Sequence, residues 1–267
     1  MITSTSNSQI KEIMQLQKKS KTRWQQRVFV VEGPRMVSEA PKDRILAAYL
    51  SESFAAKEPD WIRRLGGIPY EIVSDSVFAS VSETRTPQGI LCLVRMPEYT
   101  IEDLLVRENP HLLLLESIQD PGNLGTMLRT GEGAGIDGII MNRQTVDLFN
   151  PKTVRATMGS LFRVPYLMVE DLAEIIAILR GRGIRLYAAH LDGSKNYDQP
   201  DYTKGTAFLI GNEGNGLREE TASLADTYIR IPMEGKVESL NAAIAATLLM
   251  YEVHRQRSLP GQSSSIT

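Results

Sequence analysis

Ile231 to Val253 reads IPMEGKVESLNAAIAATLLMYEV. A short apolar, strand-like piece gives way to a polar loop. The loop closes on Ser239-Leu240-Asn241, and an alanine-rich helix begins. Ala242, Ala243, Ala245 and Ala246 leave one side of that helix without bulk, so another backbone can approach it closely. Ser239 is of a type that caps helices, which is the plain structural reading of the turn.

The same grammar runs upstream. HLLLLES is a strand beginning at His111, GNLGTMLRTGEGAG a helix stopped by glycines, and DGIIMN a strand again. NPKTVRATMGSLFRVP reads as a helix and a short strand. DLAEIIAILRGRG reads as a helix with a glycine stop. IRLYAAH, TAFLIG and YIRIPM are strands, with the helix LREETASLA before the last of them. Strands that alternate with helices predict an α/β fold, a parallel sheet with helices on both faces, over residues 111–256. Residues 1–96 form a smaller α/β domain. It holds an amphipathic helix over 7–20 with Ile10, Ile13, Met14 and Leu16/Gln17 on one face, and the strands RVFVVEG and GILCLVRM. Residues 97–110, bracketed by Pro97 and Pro110, read as a linker with a short helix, and 257–267 as a polar, disordered tail.

Composition excludes several classes. With 267 residues the chain can bury one large core or two small ones. No apolar run is long enough to span a membrane, and the N-terminus lacks the apolar core of an export signal, which points to the cytoplasm. One cysteine, Cys92, lies in the apolar run GILCLV and reads as a buried core thiol. Three histidines with one cysteine offer no metal-ligand spacing. A net charge of −2 argues against indiscriminate binding to polyanions. Yet the first thirty residues carry Lys11, Lys18, Lys19, Lys21, Arg23 and Arg27 against Glu12 alone, with Trp24 among them. That mixture suits either a solvated helix face or contact with a nucleic-acid backbone.

Two glycine-rich stretches need separating. GAGIDG, Gly133–Gly138, matches G-x-G-x-x-G but closes a helix and opens a strand, the reverse of a dinucleotide site. LIGNEGNGLREE follows a strand and precedes a helix. Gly211, Gly214 and Gly216 permit positive φ and close approach of a ligand. No Lys-Ser/Thr pair follows, and Glu213 would repel a phosphate, so a neutral or cationic ligand suits this loop better.

The segments NLGTMLR, LIGNEGNG and IPMEGKVESLNAAIAA, in this order, resemble the three motifs of the SpoU/TrmH family of S-adenosylmethionine-dependent RNA ribose methyltransferases, of the SPOUT class. The matching residues are Asn123, Gly125 and Arg129; Gly211, Glu213, Gly214 and Gly216; and Ile231, Pro232, Met233, Gly235, Ser239, Leu240 and Asn241. FVVEGPRMVSEA and SETRTPQGILCLV are similar to the family's accessory RNA-binding domain, itself like small ribosomal proteins. The resemblance implies a C-terminal domain carrying a deep trefoil knot. The thin alanine helix is then slim because it is drawn through a loop, and true knots are rare enough that periodicity never suggests one. It also implies a homodimer through the C-terminal domain, and an RNA substrate selected by the N-terminal domain.

Transfer of a methyl group to a ribose 2′-hydroxyl is an in-line displacement that needs aligned reactants and removal of a proton. The resemblance implies that Gly211, Ile231 and Leu240 line the S-adenosylmethionine site, with Ala189, Ile210, Asn212, Gly214 and Met233 nearby; Ile231 and Leu240 also suit plain core packing. The catalytic candidates are Asn123, Arg129, Glu213, Ser239 and Asn241. The family's arginine is discussed as a base, but a guanidinium stays charged. Arg129 is therefore read as a clamp for phosphate and developing alkoxide. Asn123 would orient the ribose or Arg129. Glu213 would fix Arg129 or accept the proton through water, and Ser239 and Asn241 would hold the hydroxyl. The accessory domain favours ribosomal over transfer RNA. A non-catalytic RNA-binding protein on the same fold and a small-molecule dehydrogenase are the competing classes. The intact polar set disfavours the first, and the reversed glycine motif disfavours the second.

Overall fold

The computed structural model describes residues 1–191, 193, 195–237 and 239–258. The chain divides into two compact units, one of Met1–Glu98 with Asp147–Phe162, the other of Tyr99–Val146 and the chain from Arg163 onward.

The first unit opens with α1 (Ser8–Lys18), whose N-cap Asn7 accepts the Gln9 N–H. Its buried face is Ile10, Ile13, Leu16 and Gln17; of the predicted stripe only Met14 stays half-buried. The helix stops two residues short of the expected Ser20, because Lys19 turns to extended backbone and α2 (Ser20–Gln26) starts a new helix. Then come β1 (Val28–Glu32), α3 (Pro34–Glu39), β2 (Ile45–Ser51), α4 (Glu52–Lys57), α5 (Asp60–Leu65), β3 (Tyr70–Val73), α6 (Asp75–Val81) and β4 (Ile90–Arg95). The sheet order is β1-β4-β2-β3, with β4 antiparallel to both its neighbours and β2 parallel to β3. Ile10, Ile13 and Leu16 pack on Val30, Tyr49, Phe78 and Leu91 in one core. Cys92 is buried in β4, and burial pushes its thiol up to about 12.

One basic residue of the N-terminal run, Arg23, does not face solvent, and its neighbour Trp24 is half-buried. Arg23 is 2% exposed. Its guanidinium donates to Asp147 and to the carbonyls of Leu16 and Gln17. Trp24 donates from Nε1 to the same aspartate at 3.2 Å and sets its ring edge-on to Phe149. Both are packing residues that hold the Asp147–Phe162 segment. Lys18, Lys19 and Lys21 are exposed.

The second unit begins with α7 (Ile101–Leu104). The expected short helix of the linker exists, but it belongs to a core: Leu104 is fully buried, and a Cβ on Gly138 would meet its side chain. There follow β5 (His111–Leu115), α8 (Pro121–Ala134), β6 (Gly138–Asn142), α9 (Pro151–Thr157) in the segment that joins the first unit, β7 (Tyr166–Val169), α10 (Leu172–Gly181), β8 (Arg185–Ala189), β9 (Lys195–Asn196), β10 (Thr206–Ile210), α11 (Glu219–Ala222), β11 (Thr227–Arg230) and α12 (Ala242–Arg257). All pairs in the sheet β7-β6-β5-β10-β8-β11-β9 are parallel. Its central strands β6, β5, β10 and β8 are largely apolar runs, as a sheet covered on both faces demands. α12 lies against α8, β5 and β10. It buries Ala243 and Ala246, and facing it α8 carries Gly131, where a Cβ would come 3.4 Å from Met250 Sδ. Small residues on both helices permit this approach. Arg257, expected in the tail, instead ends α12 and donates to the carbonyls of Asn109, Tyr202 and Lys204. Ser258 caps that helix, and 259–267 lie outside the described residues.

Candidate functional site

Chain order and sheet order part company at β5. From β5 the chain moves outward through β6 to β7, then reappears on the other side, with β10 seated between β5 and β8. In an open parallel sheet, ligands bind beyond the carboxyl ends of the strands where the order reverses. Ala189 ends β8, Ile210 ends β10 with Gly211 next in the chain, and Ile231 follows β11, so these candidates stand at the carboxyl ends of three adjacent strands.

The loop after β10 has a built shape. Asn212 and Gly216 exchange backbone hydrogen bonds of 3.0 and 2.9 Å. The Asn212 side chain accepts the N–H groups of Gly214 and Asn215, while its Nδ2 donates to the Ser117 carbonyl at 2.9 Å. Gly216 has φ +68°, and a Cβ on Gly211 would fall 2.1 Å from backbone atoms of Gly216 and Leu217. Both positions therefore demand glycine.

Glu213 is bonded to groups other than Arg129. Its carboxylate accepts the N–H of Gln119 at 3.0 Å, the N–H of Asp120 at 3.1 Å and Nδ2 of Asn123 at 2.9 Å. Burial raises its pKa, but these hydrogen bonds outweigh burial and hold the carboxyl below its ordinary value. Asn123 Oδ1 accepts from Asn241 Nδ2 at 3.0 Å, and Asn241 Oδ1 accepts the N–H groups of Ala243 and Ile244. An unbroken relay thus runs from Glu213 through Asn123 and Asn241 to the N-terminus of α12. It joins the three sequence segments that stand far apart along the chain. The cap of α12 is Asn241, not Ser239, which leaves the exposed Ser239 hydroxyl outside that duty.

Arg129 lies six residues beyond Asn123 on α8, is exposed, and among the described residues its side chain has no hydrogen-bond or ion-pair partner. Met233 and Leu240 sit half-buried on the loop between β11 and α12. Ser117 and Asn142 belong to this region but carry no sequence motif. Ser117 is held at φ +58° by the Asn142 side chain, which accepts its N–H at 2.8 Å and donates to its Oγ at 3.1 Å. A buried asparagine closing the apolar strand β6 was the available signal.

The site fits S-adenosylmethionine by its own chemistry. Half-buried apolar Ile231, Met233 and Leu240 suit an adenine ring, and Gly211 admits close approach to backbone. The loop from Gly211 to Gly216 holds no lysine or arginine to oppose a sulfonium. Among the described residues no group of three or more His, Cys, Asp or Glu could hold a metal ion, and no helix is long and apolar enough to cross a membrane.

Residues 110–251 match the SpoU rRNA Methylase family, and residues 7–92 match the MRM3-like substrate binding domain. The chain belongs to the SpoU rRNA methylase family. This SpoU methylase is 33% identical over 252 residues to the 23S rRNA (guanosine(2553)-2′-O)-methyltransferase RlmP of Bacillus subtilis (strain 168), covering 94% of this chain and 98% of that one. The crystal structure of an AdoMet-bound rRNA methyltransferase from Sinorhizobium meliloti superposes with a TM-score of 0.85 at 32% identity, over 95% of this chain and 97% of that one. The TrmH/SpoU tRNA modifying enzyme of A. aeolicus aligns at a TM-score of 0.51 and 26% identity, over 59% of this chain and 80% of that one. As a family member the chain is an S-adenosylmethionine-dependent RNA methyltransferase.

Proposed function

We propose that this methylase modifies the 2′-hydroxyl of a ribose in ribosomal RNA, in the cytoplasm and as a homodimer. The observation that carries the catalytic reading is the Glu213–Asn123–Asn241 relay, which fixes the groups of three distant motifs against one another. The ribosomal choice is supported by coverage: the ribosomal-RNA relatives align along nearly the whole chain, the tRNA enzyme along little more than half.

Ala189, Ile210, Gly211, Asn212, Gly214, Ile231, Met233 and Leu240 hold the cofactor. S-adenosylmethionine supplies an electrophilic methyl group on a sulfonium. The chain's own residues do the rest. Asn123 and Asn241, each oriented by the relay, set the ribose. Arg129, free to turn its fork outward, clamps substrate phosphate and offsets charge developing on the 2′-oxygen. Ser239 is available to the hydroxyl. The knot is part of the same reading, supported by β10 lying between β5 and β8 and by α12 returning onto α8, β5 and β10. The homodimer is supported by Ile244, Leu248 and Tyr251, an exposed apolar stripe at helical spacing on α12.

Calorimetric titration with S-adenosylmethionine, against NAD as control, tests the site. Leu240→Arg places a charge in the apolar slot and should abolish binding while the fold persists. Normal binding by that variant defeats the site reading. Mapping 2′-O-methyl groups in RNA from a deletion strain should show one ribosomal position lost; a loss confined to tRNA defeats the substrate reading.

A further inference from the structure

We propose that Glu116, a residue outside the three motifs, is the positioning residue that sets the glycine loop in its cofactor-holding shape. The inference rests on the reading that Gly211–Leu217 holds S-adenosylmethionine.

Glu116 follows the last residue of β5 and is 1% exposed. Its own N–H donates to the Ile210 carbonyl at 2.9 Å, beside the entrance of the loop. Its side chain reaches the other end. Oε2 accepts the Arg218 backbone N–H at 2.8 Å, and Oε1 accepts Arg218 Nε at 2.8 Å together with the Thr221 hydroxyl. Arg218 Nη2 lies 2.8 Å from the same oxygen. One residue therefore holds the loop at both ends, by main chain where it leaves β10 and by carboxylate where it enters α11. Between those ends the tip is held separately, by Asn212 on the Ser117 carbonyl and by Glu213 on the Gln119 and Asp120 N–H groups.

The chemistry around Glu116 is one-sided. Every group on its carboxylate is a donor: a backbone N–H, guanidinium N–H groups and a hydroxyl. A carboxylate has only acceptors to offer, so it satisfies all of them. A glutamine of the same shape must turn its NH₂ toward at least one donor. A buried donor left facing another donor is costly, and the loop end is the part free to move away. A loop containing Gly211, Gly214 and Gly216 has little stiffness of its own. Held in advance, it spares the ligand the entropy of ordering it. Glu116 thus acts on cofactor affinity and not on the chemical step.

The test uses the full chain and Glu116→Gln. The KM for S-adenosylmethionine, and its Kd by calorimetry, should rise by about tenfold or more, while the KM for RNA stays put and the rate at saturating cofactor falls by no more than about twofold. Amide exchange at Asn212–Arg218 should accelerate in the cofactor-free variant, with β5 and α8 protected as before. Thr221→Val removes one donor and should shift cofactor KM the same way by a smaller factor. It carries the test if Glu116→Gln fails to fold. Wild-type cofactor affinity, or a fall in saturated rate with cofactor KM unchanged, overturns the proposal, as does uniform destabilisation without faster loop exchange. If Glu116→Gln is neutral while Leu240→Arg abolishes binding, this inference alone fails. If Leu240→Arg also binds normally, the site reading fails first.

Discussion

Asn123 has a single workable orientation. Its NH₂ must face Glu213 and its carbonyl oxygen must face Asn241, because Asn241 already spends its own oxygen on the N-terminus of α12. Asn123→Asp replaces the donor with an acceptor and sets two carboxylates against each other. The effect on pH dependence has a definite sign. In wild type the Glu213 pKa is depressed, so its contribution to stability is present above the unfolded-state pKa and is lost as pH falls through the folded one. In Asn123→Asp that depression is weakened, so thermal-melt titrations between about pH 3 and 6 should show stability lost at higher pH than in wild type. An unshifted acid limb would mean the Asn123 bond does not govern Glu213. Arg129, whose side chain has no hydrogen-bond or ion-pair partner among the described residues, tests differently. Arg129→Lys keeps charge but loses the fork, so single-turnover activity should fall strongly yet remain measurable. Arg129→Ala should cost roughly 2–4 kcal/mol of transition-state stabilisation. Single-turnover activity of Arg129→Lys equal to wild type would remove the fork from the chemistry.

The elements that the sequence made legible are those with a strong local pattern. β5, β8 and β10 are apolar at every position after their first residue, and α8 ends at Gly135, φ +76°, where the glycine stop puts it. Less legible are elements that exist only through tertiary partners. β9 is two residues long and is defined by pairing with β11. α11 spans four residues of the nine in LREETASLA, because its start is fixed by Glu116 reaching across to Arg218 and not by a local cap. The short strand expected after α9 is a 3₁₀ turn at Ser160–Phe162, with β7 following at Tyr166. Nothing near Asp147 announces that it will hold Arg23, more than a hundred residues away. In the site, motif residues were readable one at a time, but their bonds were not: Glu213 fixes Asn123, where the sequence reading offers Arg129 or a proton-accepting role instead. The glycine loop gives the sharpest test at this scale. Gly211→Ala drives a Cβ into the Gly216–Leu217 backbone, which cannot yield as a side chain tip would. Calorimetry should find cofactor binding lost, with far-ultraviolet circular dichroism unchanged. Retained affinity would mean the loop can re-form without its close crossing.

For the whole molecule, the dimer and the RNA-binding unit make separate demands. If the α12 stripe meets a second copy, Leu248→Glu should convert a species of twice the chain mass into one of single mass in sedimentation at low micromolar concentration; a wild-type chain that is monomeric yet methylates RNA removes the dimer from the mechanism. The basic N-terminal run predicts RNA contact, and the structure divides that run in two. Lys18, Lys19 and Lys21 are exposed, whereas Arg23 is buried against Asp147 and two carbonyls. Phosphate contacts release counterions, so each one lost should flatten the plot of log affinity against log salt by about 0.7 on single-stranded RNA. Replacing the three lysines with glutamine should therefore reduce both affinity at low salt and the slope, leaving thermal stability and cofactor binding as they were. Arg23→Ala should do the opposite. It strands a largely buried carboxylate and unsatisfied carbonyls, a loss of roughly 3–5 kcal/mol of folding stability, with the salt slope of the surviving folded protein unchanged. A lysine triple variant with the wild-type slope would mean that the face of α1 and α2 is merely solvated, and that the RNA lies on another surface of this unit.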